Sequence, residues 1–294
     1  MSKFLTAAAV TEFDSEVKHA YQGKGKLRNT VSVRTGVTGE AYKFAATGKG
    51  LANQKASQAD VTPMDINYSR PTANLDNWNA PEYTDIFDQA EVNFDEKTEL
   101  AVTIADAITR REDQIIIDSM QAGTYNATPA DNTVGLLIDL GVGNALTVAA
   151  LRQASTKGLT KRGVEASDRT IAITADSLDQ LLATTQVTNS DYNSVKALVQ
   201  GEVDTFLGFK FCVIETREEG GLPGDGTTSV ASFAYHKKAV GYAVGLDMKT
   251  TIDWIAQKTS WLANGILKSG AVIREGAGIT KILSDSTVVV AQGN

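Results

Sequence analysis

Few residues in this sequence have the chemistry of a catalytic or metal-binding site. The 294-residue chain contains one cysteine, Cys212, and two histidines, His19 and His236. A structural zinc site takes about four Cys, His or carboxylate ligands, and a thiol nucleophile needs a neighbouring base. Cys212 lies in the apolar string FKFCVI, where a cysteine usually behaves as a small buried hydrophobic residue. These residues therefore predict no catalytic centre, no cofactor and no metal site.

Two glycine-rich triplets are the next candidates, because glycine loops can wrap around phosphate groups. They are Gly48-Lys49-Gly50 and Gly276-Ala277-Gly278. A phosphate-binding loop ends in Gly-Lys followed by Ser or Thr, at a fixed distance from an earlier glycine. Neither triplet has that spacing, so we interpret both as turns.

Charged pairs on one predicted helix are a further candidate for anion binding or proton transfer. Arg110 and Arg111 are adjacent, but Asp106 lies one helical turn before Arg110. This spacing is typical of an ion pair on a helix surface. The acidic pair Glu112-Asp113 that follows is interpreted in the same way, as solvated charge.

Composition and charge exclude several classes of protein. Hydrophobic residues make up 42% of the chain and charged residues 21%, as is ordinary for a globular protein. The net charge of −7 argues against a sequence-reading nucleic-acid-binding protein, which normally has a basic surface. The N-terminal apolar run is too short for a signal peptide, and no window has the length that spans a bilayer. We therefore expect no membrane association.

The longest helical pattern in the chain runs from Asn93 to Gly123. Asn93 and Glu96 have the spacing of a capping box, and Gly123 is placed to end the helix in a left-handed turn. A helix of this length would extend about 40 Å, so we predict a spine on which other segments pack. Apolar residues recur along it at near-helical spacing, namely Leu100, Ile104, Ile108, Ile115 and Met120.

Residues 31–78 predict a projecting β-hairpin. Val31, Val33, Tyr42 and Phe44 alternate with polar residues, which is the two-residue period of a strand. A weaker alternation returns near Tyr68, after a long polar tip. A lone hairpin is marginally stable in water, and a long structureless tip is uncommon unless it is functional. We expect this hairpin to pack on a neighbouring molecule.

The remaining segments predict an arm and a mixed α/β body. Residues 1–30 have little to bury, and we expect an arm with a short helix over 5–17 that becomes ordered against other elements. A turn at Pro81 and a short helix are predicted within 79–92. From 144 onward, helices and strands alternate, with a helix capped by Asp176-Ser177 and another over 191–198. The segment 260–268 fits a helix or a strand.

These residues alone favour self-assembly, because a hairpin and an arm that are unstable in isolation need a partner, and another copy is the simplest one. A soluble enzyme with an unrecognised site is the second hypothesis. On a sizing column the enzyme would be a monomer or a small oligomer, which distinguishes the two.

The order of parts resembles the major capsid protein of tailed double-stranded-DNA bacteriophages, and the resemblance covers nearly the whole chain. In that fold, an N-arm, an extended loop (E-loop), a spine helix in a peripheral domain and an axial domain follow one another. Similarity to capsid proteins of short-tailed phages is carried by YQGKGKLRNTVSVRTGVTGEAYKF, NWNAPEYTDIFDQAEVNFDEKTELA, RREDQIIIDSM and AYHKKAVGYAV.

The resemblance implies an α+β fold with defined limits for each part. The N-arm would be 1–30, the E-loop 31–78 and the axial domain 142–245. The peripheral domain would combine 79–141, with its spine helix 93–123, and 246–294.

The resemblance also implies a structural, non-enzymatic role in the virion. Copies would form hexamers and pentamers of an icosahedral shell that is assembled in the host cytoplasm and encloses double-stranded DNA without sequence-specific binding. A separate scaffolding protein and a portal are implied partners, and a decoration protein is possible. An encapsulin-like bacterial compartment is the alternative shell. Position in the fold suggests inter-subunit contacts at Arg34, Tyr42, Phe44, Lys49, Lys55 and Trp78.

Overall fold

The computed structural model describes residues 24–86, 96–183, 205–214, 217, 219–224 and 229–288. The helices predicted over 5–17 and 191–198 and the cap predicted at Asn93 lie outside these residues. The described strands are β1 (Ser32–Arg34), β2 (Ala41–Lys43), β3 (Ala46–Thr47), β4 (Tyr68–Ser69), β5 (Thr72–Asn74), β6 (Asp76–Asp85), β7 (Tyr125–Asn126), β8 (Gly135–Asp139), β9 (Arg169–Ile173), β10 (Thr205–Phe206), β11 (Phe209–Val213), β12 (Ser229–His236), β13 (Val240–Ile255), β14 (Ser260–Ile273) and β15 (Ile279–Asp285).

A 26-residue helix, α1 (Glu96–Gln121), confirms the predicted spine. Ile104, Ile108 and Met120 are buried on it, as their spacing predicted. The end of the helix differs from the prediction, because Gly123 is not among the residues with positive φ. A Cβ at this position would lie 2.5 Å from the Cδ1 of Ile273. Glycine is needed there for close packing rather than for a left-handed turn.

One face of a four-stranded sheet packs on α1. The strand order is β1-β13-β14-β6, and β13 and β14 form a long antiparallel pair. Gly265 of β14 lies against the helix, since a Cβ there would be 2.5 Å from Ile104 and 3.1 Å from Ile108. The segment 260–268, which fitted a helix or a strand, is therefore a strand.

The segment 79–92 differs from its prediction. The turn at Pro81 and the placement of Tyr83 in a short helix are wrong, because both residues belong to β6, which pairs antiparallel with β14. Ile86, predicted in the same helix, is helical, and 87–92 lie outside the described residues. Pro81 cannot donate a backbone hydrogen bond, and proline is tolerated in a sheet at an edge strand. β6 is such an edge strand.

A seven-stranded mixed sheet forms the second layer, in the order β10-β11-β9-β12-β15-β8-β7. Two helices are associated with it, α2 (Val148–Gln153), which continues as a π-helical turn over Ala154–Leu159, and α3 (Ala175–Ala183). The predicted cap at Asp176-Ser177 is wrong by two residues, because the Oγ1 of Thr174 accepts the hydrogen bond from the N–H of Ser177. The core on this side includes Leu151, Ile171, Leu181, Phe209 and Ile282.

The predicted hairpin is present, but it begins later than expected. β2 pairs antiparallel with β5, and β3 with β4. The earlier part of the predicted strand, β1, instead pairs in parallel with β13, so it belongs to the body. Between Thr47 and Tyr68, the described chain has no regular secondary structure. The hairpin is thus held by two short ladders.

Strand pairing joins segments from both sides of the predicted domain limits. β13 runs without interruption from Val240 to Ile255, and β15 pairs with both β12 and β8. The limits 1–30, 31–78, 79–141, 142–245 and 246–294 stay a prediction.

Candidate assembly surfaces

A buried polar joint fixes the base of the N-terminal arm to α1. The carboxylate of Asp113, fully buried, accepts hydrogen bonds of 2.9 Å from the backbone N–H groups of Lys26 and Leu27. The guanidinium of Arg217 donates to the same carboxylate at 3.0 Å. Helix residues that point into a core are normally apolar, so the charged residue here is explained by the donors that it satisfies.

The neighbouring carboxylate extends this joint to the sheet. Glu112 accepts from Arg28 at 3.0 Å and from the hydroxyl of Tyr242 at 3.0 Å. Arg28 also donates two hydrogen bonds of 2.8 Å to Asp247. The ladder of β13 is irregular between Leu246 and Lys249, and such bulges re-aim side chains. The prediction that Glu112-Asp113 is solvated is therefore wrong.

Burial controls the titration of this joint. It raises the pKa of Glu112, against the opposing effects of Arg28 and Tyr242. It likewise raises the pKa of Asp113, although the N–H groups of Leu27 and Lys26 favour the charged form. The pKa of Asp247 is lowered, mainly by its hydrogen bonds from Arg28. The joint therefore fixes the position of the arm at an electrostatic cost.

The base of the hairpin is anchored by apolar packing. Phe44 is buried in a small cluster with Val37, Ala73, Leu75 and Ala243. Its ring meets Tyr42 edge-on at a centroid distance of 4.8 Å. Phe44, which was predicted to contact another subunit, therefore contributes its ring to the core of its own subunit.

The distal hairpin is open to solvent. Leu51, Val61 and Tyr68 are 80%, 76% and 71% exposed. Lys49 donates a 3.0 Å hydrogen bond to the carbonyl of Arg162, while Lys55 is exposed. A cavity of about 550 Å³ lies beneath residues 46–49. The distal hairpin is therefore a mainly polar segment that also leaves three large apolar side chains exposed.

The two remaining predicted contacts lie at opposite edges of the four-stranded sheet. Arg34, at the end of β1, is exposed. Trp78, on β6, is half-buried, and the guanidinium of Arg111 lies 3.4 Å from the centroid of its ring. Arg111 also pairs with Glu219 at 3.3 Å. Trp78 thus contacts the spine helix, and the structure does not group the six predicted residues into one surface.

A second exposed apolar surface, which the sequence did not single out, lies where β13 and β14 meet near Ile255 and Ser260. Ile252 and Trp254 lie on one face of β13, two residues apart. They are 38% and 42% exposed, and Trp254 meets Trp261 at a centroid distance of 5.2 Å. Among the described strands, β1 pairs only with 241–243 of the outer edge of β13. Val244 accepts a 3.1 Å hydrogen bond from the N–H of Val37, and the edge beyond it can accept a strand from another chain. We refer to Ile252 and Trp254 as the distal sheet surface.

The candidates for chemistry lie apart in the structure. His236 ends β12 as predicted, and its Nδ1 accepts from the N–H of Lys238. Burial lowers its pKa, and Glu165 opposes this at 3.9 Å. Cys212 is half-buried on β11. Within the ranges that the structure describes, no three His, Cys, Asp or Glu side chains are grouped for a metal ion, and no helix is both long enough and apolar enough to cross a membrane.

Comparison with known proteins supports one family across the chain. A family model described as phage capsid protein matches residues 5–286. No match was found among curated proteins.

Solved capsid structures share the fold at low sequence identity. The capsid of Cyanophage P-SCSP1u matches with a TM-score of 0.72 and 17% identity, covering 96% of this chain and 94% of that chain. The head of Helicobacter pylori bacteriophage KHP40 matches with a TM-score of 0.71 and 12% identity, covering 94% of this chain and 96% of that chain. The capsid of Ralstonia phage GP4 matches with a TM-score of 0.68 and 11% identity, covering 98% of this chain and 97% of that chain. The chain therefore belongs to the phage capsid protein family, and it is a structural component of the virion that associates with other copies of itself into a shell.

Proposed function

We propose that the chain is the major subunit of an icosahedral shell in which copies form hexamers and pentamers around a double-stranded DNA genome. The exposed hairpin carries this proposal. Leu51 and Val61 expose 80% and 76% of their surface on a segment that two short ladders hold together. Exposure of such side chains to water is unfavourable, and a shell of identical subunits supplies the neighbour that covers them.

The hairpin then acts as an E-loop that lies across an adjacent subunit. Its base is fixed by the cluster around Phe44, so its direction is determined by its own subunit. Its distal part carries Lys49 and Lys55 and packs on the neighbour. Main-chain pairing along an open strand edge provides affinity with loose demands on sequence. The distal sheet surface is a second contact between copies.

The predicted parts keep their roles in this proposal. Residues 1–30 form the N-arm, 31–78 the E-loop, 142–245 the axial domain, and 79–141 with 246–294 the peripheral domain. The shell assembles in the host cytoplasm with a separate scaffolding protein and a portal, and a decoration protein can be added. A net charge of −7 gives a shell that encloses DNA without sequence-specific contacts.

Negative-stain electron microscopy of the purified chain, with and without its scaffolding partner, tests this function. We expect capsomers or closed shells. A monodisperse monomer that does not assemble under either condition would contradict the proposal.

A further inference from the structure

A groove of about 660 Å³ lies where the base of the arm meets the seven-stranded sheet. Its lining includes Lys26, Arg169, Lys210 and Lys237, with Asp168 as the acidic residue among them. The lining thus contains an excess of basic residues, whereas the whole chain has a net charge of −7. A basic excess in a concave surface of an acidic chain favours a negatively charged ligand.

Strand order places two of these lysines on either side of β9. Lys210 on β11 is the register partner of Thr170 on β9. On the other side, β12 pairs with β9 up to His236. Lys237 follows, and its backbone N–H donates a hydrogen bond of 3.0 Å to the carbonyl of Asp168. Two strand spacings and two residues along the strand direction separate the lysine backbones, which is about 12 Å. Both lysines are exposed, so their amines are accessible.

A buried cation lies behind the same groove. Arg169 is 4% exposed, and its guanidinium donates to the carbonyls of Val164 and Glu165, each at 2.7 Å, and to the hydroxyl of Thr160 at 3.1 Å. Within the part of the chain that the structure describes, no carboxylate forms an ion pair with it. These oxygen acceptors satisfy its donors but do not cancel its charge. A buried charge is screened by salt less than an exposed one.

We propose that this groove binds the phosphodiester backbone of double-stranded DNA. The inference rests on the proposed function, because the enclosed genome is the polyanion that the shell surrounds. Duplex DNA presents one negative charge per roughly 1.7 Å of its axis, so Lys210 and Lys237 can each contact a different phosphate. Lysine ammonium groups are point charges, and contacts to phosphate carry no base sequence. The groove therefore tethers DNA without reading its sequence.

The charge of the groove can be altered with a matched control. The test variant is Lys210→Ala with Lys237→Ala. The control is Lys157→Ala with Lys249→Ala, since both of these lysines are exposed and neither lines the groove. The two double variants change the net charge equally. The binding of a fluorescent duplex of roughly 20 base pairs is followed by anisotropy between about 20 and 200 mM salt, where counterion release is large.

The expected readout is the slope of log K against log salt. Each phosphate contact contributes about −0.9 to this slope for duplex DNA, so the test variant should lose about 1.8 of the wild-type slope, while the control keeps it. An unchanged slope in the test variant, or an equal loss in both variants, overturns the proposal. Polyglutamate that displaces the duplex at equal charge concentration also overturns it, in favour of an acidic protein ligand.

Electron microscopy of the same variants separates this site from the shell function. We expect both double variants to form the same particles as the wild type. If the test variant forms normal particles and binds DNA normally, the proposal that the groove binds DNA is wrong, while the proposed shell function is unaffected.

Discussion

The carboxylate of Asp113, in the second half of α1, accepts a 2.9 Å hydrogen bond from the backbone N–H of Leu27 at the base of the arm. The side chain of Leu27 is itself fully buried among apolar residues of the body. This hydrogen bond thus fixes the position of Leu27 on α1, where its side chain is buried in the core. Because the next carboxylate, Glu112, binds Arg28, the helix positions three consecutive residues of the arm.

Replacement of Asp113 by alanine should destabilise the subunit strongly. It leaves the N–H groups of Lys26 and Leu27 and the guanidinium of Arg217 without their shared acceptor. Removing one partner of a buried ion pair costs about 3–5 kcal/mol. Urea unfolding of the unassembled subunit measures this loss. Asp118→Ala, at an exposed position of the same helix, is the control and should cost less than about 1 kcal/mol.

The pH dependence of stability should change in Glu112→Gln. Burial raises the pKa of Glu112 above its ordinary value of 4.5, so the folded state binds a proton more tightly than the unfolded state. The resulting stabilisation is fully present below pH 4.5 and is lost as the pH rises through the higher folded-state pKa. Glutamine cannot titrate, so this contribution is absent in the variant.

The stability difference between wild type and Glu112→Gln should therefore grow in favour of wild type as the pH falls from neutral toward 4.5. Urea midpoints measured at several pH values give this difference, and the titration of acidic groups far from Glu112 cancels in the comparison. A difference that is constant with pH would show that Glu112 does not titrate with a raised pKa.

A polar residue at Ile108 should abolish folding of the subunit. Ile108 is 2% exposed and packs where Gly265 lets β14 approach the helix. Ile108→Asn loses apolar burial and buries an amide without a partner, so we expect a cost of about 4 kcal/mol or more. Val102→Asn is the matched control, because Val102 is 43% exposed on the same helix. Soluble yield and circular dichroism distinguish the two variants.

Local patterns predicted the spine because its determinants are local. Ile104 and Ile108 recur one turn apart, and that periodicity alone requires a helix with one buried face. Glu112 and Asp113 are different, since their partners Arg28 and Leu27 lie 84 and 86 positions away. A helical pattern of charge cannot reveal such partners, so the carboxylates were assigned to solvent.

The same reason explains the error at β6 and the missed surface. Proline cannot donate a hydrogen bond to a sheet, and Pro81 therefore predicted a turn. In the structure Pro81 pairs with Asn264 of β14, the single neighbouring strand of β6. Edge position is a property of the whole sheet and is not encoded near Pro81. The distal sheet surface depends equally on pairing, because β13 and β14 bring Trp254 opposite Trp261.

Deletion of residues 46–60 should separate folding from assembly. The deletion removes Leu51, which is 80% exposed, and leaves the anchor Phe44, which is 7% exposed. The deletion removes β3 and with it the β3–β4 ladder of the hairpin. From the body it removes chiefly the hydrogen bond of Lys49 to the carbonyl of Arg162, so the stability of the body should fall by no more than about 1 kcal/mol. Shells should nevertheless fail to form, because the deletion removes Leu51 and the β3–β4 ladder of the hairpin segment that carries Val61 and Tyr68. Lys49→Ala is the control, since it removes the hydrogen bond but keeps these apolar side chains and the ladder, and it should still assemble. Urea unfolding and negative-stain microscopy of both variants check these outcomes. Normal shells from the deletion variant would show that residues 46–60 do not hold adjacent subunits together.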